Sequence, residues 1–86
     1  MANFIVIPIP SGNQILNELI PERFGKDSFA LENGDWLVSF SGTSKQLSEE
    51  IGVSDGANGG AVVLNFSGYW GYATNDIWEW INEHSK

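Results

Sequence analysis

Ser28-Phe-Ala-Leu-Glu-Asn-Gly-Asp-Trp-Leu-Val-Ser-Phe40 holds two apolar-rich runs separated by Asn33-Gly34, and Asn-Gly accepts the positive backbone angles of a tight two-residue hairpin turn. The stretch therefore predicts a β-hairpin. With Asn33 and Gly34 as the loop, Leu31 opposes Trp36, Phe29 opposes Val38 and Asp27 lies near Phe40. That register gathers Phe29, Leu31, Trp36, Val38 and Phe40 on one expected core face. The other face holds Ser28, Ala30, Leu37 and Ser39, a mixed surface suited to water or to a flat partner.

Upstream, residues 4 to 9 read as a strand: Phe4, Val6 and Pro8 face one side, and Ile5, Ile7 and Ile9 the other. Apolar residues on both sides mark a central strand. Pro8 has no amide hydrogen, so the regular ladder is expected to end near Ile7. Ser11-Gly12-Asn13-Gln14 has capping-box spacing and should open a helix whose stripe is Ile15, Leu16, Leu19 and Ile20, with Pro21 as its limit.

Downstream, Thr43-Ser44-Lys45-Gln46 repeats the capping-box spacing ahead of Leu47 and Ile51, and Gly52 is a suitable left-handed terminator. Residues 55 to 60 form a flexible Gly-rich connector. Ala61 to Phe66 resumes as a strand with Val62, Leu64 and Phe66 on one side. Tyr69-Trp70-Gly71-Tyr72 is a short strand or an aromatic loop. Thr74-Asn75-Asp76 can then cap a last helix with Ile77, Trp80, Ile81 and His84 on one face.

This order predicts an α+β fold over residues 1–86 as a single domain: ferredoxin-like βαββαβ, a four-stranded antiparallel sheet in spatial order 4-1-3-2. Two helices lie on one face, and a C-terminal helix is added. The fourth strand is then an edge, apolar on both sides and without a protective Lys or Pro. Its cover should come from the segment beyond Tyr69, from the last helix, or from a second copy in a symmetric homodimer.

Composition narrows the function classes. Eleven acidic against four basic side chains give the 86-residue chain a net charge of -7, which repels phosphate backbones and disfavours direct nucleic-acid binding. The absence of cysteine and the single histidine exclude thiolate and multi-His metal sites. Hydrophobic residues make up 42% of the chain, which predicts a packed globule and not a disordered one. The apolar run Phe4 to Pro10 is far short of the roughly 20 residues a membrane span needs. Met1-Ala2-Asn3 lacks the positive start of a secretory signal, so a cytoplasmic location is expected.

Candidate chemistry is sparse. Ser11 and His84 belong to no nucleophile motif. Glu49-Glu50 and the set Asp76, Glu79 and Glu83 have spacings that could hold a metal, but capping and solubility account for them more simply. Gly56, Gly59 and Gly60 lack the Lys and the following helix of a phosphate loop, so they read as a turn. No catalytic residue, metal ligand or cofactor is assigned. The binding candidates are Tyr69, Trp70, Tyr72 and Trp78, since aromatics among glycines can stack on a ligand or partner. Core filling beneath the last helix is the simpler account of them.

The run Phe4-Ile-Val-Ile, the hairpin 28–40, the Thr43-Ser-Lys-Gln-Leu helix start and Asn65-Phe-Ser-Gly-Tyr-Trp-Gly-Tyr together resemble the SinR-like relatives of the small CRISPR-associated ferredoxin-like nucleases. The resemblance implies a ferredoxin-like fold, a homodimer and a metal-holding acidic residue at the end of the first strand. The matching stretch here, Ile7-Pro8-Ile9-Pro10, carries no carboxylate. The leading expectation is thus a non-enzymatic, self-associating protein-interaction module. The alternatives are a metal-dependent nuclease, as the resemblance implies, and an acidic nucleic-acid mimic that occupies a basic protein partner.

Overall fold

The computed structural model describes residues 1–85. Its strands are β1 (Ala2–Ile9), β2 (Ser28–Ala30), β3 (Trp36–Phe40) and β4 (Gly60–Phe66), and its α-helices are α1 (Gln14–Phe24), α2 (Ser44–Glu50) and α3 (Asn75–His84). A 3-10 turn, Gly25–Asp27, leads into β2. The strands form one antiparallel sheet in the order β2-β3-β1-β4, with the expected neighbours read from the opposite edge. The architecture is α+β, with helices on both faces of the sheet.

Side-chain alternation sorts the core into two layers. On one face, Phe4 and Val6 of β1 and Trp36 and Val38 of β3 meet Leu16 and Ile20 of α1, Leu47 of α2 and Ile51 at its C-cap. Seven of these residues are fully buried, each contributing about 1.5–3 kcal/mol of transfer free energy. On the other face, Leu37 meets Trp80 and Ile81 of α3, with Ile5, Phe29, Leu31 and Phe66 packed around them. The two early helices share a face, and α3 covers part of the other.

The hairpin forms, but its register corrects the expected one. Ala30 pairs with Trp36, Phe29 with Leu37 and Ser28 with Val38, one residue away from the two-residue turn. A type I′ turn needs positive φ at both central residues, and among the described residues only glycines have positive φ. The chain instead turns through Glu32-Asn33-Gly34. Leu31 N–H donates to Asp35 O at 2.9 Å, Gly34 N–H donates to Leu31 O at 3.1 Å, and Gly34 takes φ +94°. One residue of slip exchanges the faces. Phe29 and Leu31 therefore join Leu37 in the α3 layer, while Trp36, Val38 and Phe40 stay in the α1/α2 layer.

Three local boundaries also differ. Asn13, not Ser11, caps α1: its Oδ1 accepts from Leu16 N–H at 3.0 Å, and its Nδ2 donates to Asn58 O at 2.8 Å. The helix runs through Pro21 to Phe24, where Gly25 N–H donates to Pro21 O. Edge-on packing of Phe24 against Phe40 keeps that last turn on the core. Ile15 falls off the buried stripe and is exposed. Pairing of β1 with β3 stops at Val6, whereas pairing with β4 continues past Pro8 to Ile9.

Candidate interaction surface

The position of α3 decides what the sheet leaves open. Trp80 is its anchor, donating from Nε1 to Lys26 O at 3.1 Å. His84 stacks on the Trp80 ring at 4.0 Å; its Nδ1 lies 2.8 Å from Trp80 O and its Nε2 3.1 Å from Asp27 Oδ1. At the same end, Asn3 Nδ2 donates to Ser85 Oγ, which donates to Ile81 O. The first turn of α3 lines a cleft with Leu31 and Asn33. The helix thus runs along β2 and β3.

A helix is roughly 10 Å across and strands lie about 4.8 Å apart, so one helix covers about two strands of four. Ile5 of β1 and Phe66 of β4 still pack against α3, and the part of the β1/β4 half beyond them stays open. Ile7 pairs with Val62, Ile5 with Leu64 and Ile9 with Gly60, which sets Ile7, Ile9, Val62 and Leu64 on one strip. Ile9 is 58% exposed, Val62 43% and Leu64 48%. The outer edge of β4 has no strand neighbour.

Of the four aromatic candidates, the structure brings three together. Tyr69 packs edge-on against Phe66 and lies 6.3 Å from Trp78 at an interplanar angle of 32°. With Trp70 and Gly71 these two rings line a small cleft beside α3. Tyr72 is not among its lining residues. Core filling, the simpler expectation, fails for Trp70, which is 98% exposed, and for the fully exposed Tyr72, whereas Trp78 is partly buried against the α3 layer. Segment 67–74 is a loop, because the space beneath α3 is already taken by Leu37, Phe29, Trp80 and Ile81.

Several of the remaining sequence candidates have structural partners. His84 finds its acidic partner in Asp27, 57 residues away and beyond the reach of any local motif. Glu50 pairs with Arg23 at 3.0 Å. Asp76 Oδ1 accepts from Thr74 Oγ1 and from Ile77 N–H at the start of α3. The Gly-rich connector is a defined turn, with Asn58 N–H donating to Gly52 O and Asn58 Nδ2 to Ile51 O. Among the described residues no three His, Asp or Glu side chains are grouped to hold a metal ion, and no helix is long and apolar enough to cross a membrane.

Charge is also spread unevenly along the chain. Residues 1–17 and 56–75 contain no Asp, Glu, Lys or Arg. Together they supply β1, β4 and the aromatic loop, so the open strip and the cleft are uncharged on a strongly acidic body. Every exposed large apolar side chain, Ile15 included, falls within these two segments. The gap in charge is legible along the chain, but its meaning appears only when β1 and β4 lie side by side.

Comparison of the chain with protein-family models, with curated proteins and with solved structures finds no match. Fold and surface together define a small acidic α+β protein with an uncharged, half-open sheet face.

Proposed function

We propose that this protein is a non-enzymatic interaction module that self-associates through the free edge of β4 and the apolar strip beside it. The observation that carries this reading is the exposure of Val62 and Leu64 on a strand with no outer neighbour. Such an edge, with no Lys, Pro or charge to blunt it, offers unpaired backbone groups to another strand. A two-fold axis pairs β4 antiparallel with its own copy, so one patch serves both sides. Charge supports the choice of partner: two copies at -7 repel, and an uncharged surface is where they can approach. The strand order fits a ferredoxin-like sheet extended in this way to eight strands across a dimer.

Sedimentation equilibrium over a hundredfold dilution range tests the proposal. The expected species is a dimer at micromolar concentration, with Leu64→Glu shifting it to monomer while the circular dichroism spectrum and melting temperature stay close to wild type. A stable interface requires about 1,200 Å² or more of buried area. A wild-type monomer throughout, or an L64E variant that dimerises equally well, overturns the reading.

A further inference from the structure

We infer that the cleft formed by Tyr69, Trp70 and Trp78 binds a methylated ammonium group carried on a lysine side chain of a partner protein. The lining is three aromatic rings and Gly71, with no charged side chain. Ring faces attract cations through their quadrupole, and Trp most strongly. The exposure of Trp70 leaves its faces open to a ligand, and Tyr69 and Trp78, 6.3 Å apart, supply the other rings of the lining. Among the described residues no basic side chain lines the cleft, and Arg23 is paired with Glu50.

Charge and hydrogen bonding select the ligand. The net charge of -7 favours cations at long range and repels phosphate or carboxylate ligands. Asp76 and Glu79, exposed on the same helix as Trp78, add to that field without entering the cleft. Where an unmodified lysine ammonium touches the rings it loses some of its N–H bonds to water and finds no acceptor in their place. A trimethylated ammonium has no N–H to leave unpaired. The cleft is shallow at Trp70, and a free small ligand would stay largely in water; binding sites for small molecules bury most of their ligand. A side chain on a protein brings further contacts, which favours that source.

The test titrates the intact protein, followed by NMR of its indole and tyrosine resonances, with a short Gly-Ser peptide bearing trimethyl-lysine. Parallel titrations use the same peptide with unmodified lysine, with the neutral tert-butyl carbon isostere of trimethyl-lysine, and free tetramethylammonium at matched ionic strength. The trimethyl peptide is expected to bind about tenfold tighter than the neutral isostere, as two exposed cation–aromatic contacts would give. Trp70→Ala should abolish the effect with an unchanged melting temperature, and L64E should retain it, so this inference stands or falls separately from self-association. Equal binding of the neutral isostere or of unmodified lysine overturns it, as does no binding. Tighter binding of tetramethylammonium than of the peptide overturns the assignment to a protein side chain.

Discussion

Two tryptophans ten residues apart behave as different kinds of side chain. Trp80 is 7% exposed, donates to Lys26 O, packs against Phe29 and stacks on His84. Replacing it with alanine leaves a cavity in the α3 layer and strands the Lys26 carbonyl, so Trp80→Ala should cost about 3–5 kcal/mol. Trp70 touches solvent on nearly all sides, and Trp70→Ala should change stability by about 0.5 kcal/mol or less. Urea unfolding of both variants checks the contrast, and comparable losses would contradict the placement of either ring. The helical period placed Trp80 correctly on an inward face. Nothing local distinguished Trp70 from a core residue, because an aromatic in a loop has no periodicity to report its side.

At the scale of elements, α2 has both its ends specified by the chain. Thr43 Oγ1 accepts from Gln46 N–H at 3.1 Å, and Gln46 Oε1 accepts from Thr43 N–H at 2.9 Å, completing the capping box read from the sequence. Thr43→Ala should therefore cost about 1 kcal/mol. At the other end Gly52 takes φ +76°, and a Cβ there would run into the Asn58 amide that donates to Ile51 O. Gly52→Ala should cost at least about 1–2 kcal/mol from the left-handed backbone alone, and thermal denaturation of the two variants should rank it as the more damaging. The hairpin was less legible. Asn33-Gly34 serves either a two-residue turn or a three-residue turn with Gly last, and the two differ by the one residue that exchanges faces. Burial of Leu37, Phe29 and Leu31 under α3 is what selects the longer turn.

For the whole molecule, charge distribution gives the sharpest prediction. If copies meet through β1 and β4 surfaces that carry no charge while the rest of each chain totals -7, added salt screens the repulsion without weakening the contact. Raising sodium chloride from about 20 to 200 mM, over which the screening length falls several-fold, should tighten the dimer by sedimentation. A complex with a basic partner would respond in the opposite sense, because there salt screens attraction. A dimer that weakens over this range would mean that ion pairs hold it, and the uncharged strip would lose its role.

The sequence by itself determined the elements and the strand order: capping boxes, periodicity and turn residues act over a few positions, and they were enough to order four strands and set α1 and α2 together. It also marked β4 as an edge in need of cover. Only the tertiary structure decided how much cover it receives. The width of one helix against four strands, the slip of one residue at the hairpin, and the pairing of Asp27 with His84 across the chain all depend on which distant side chains compete for the same space. The open strip and the exposed aromatic cleft are what that competition left outside.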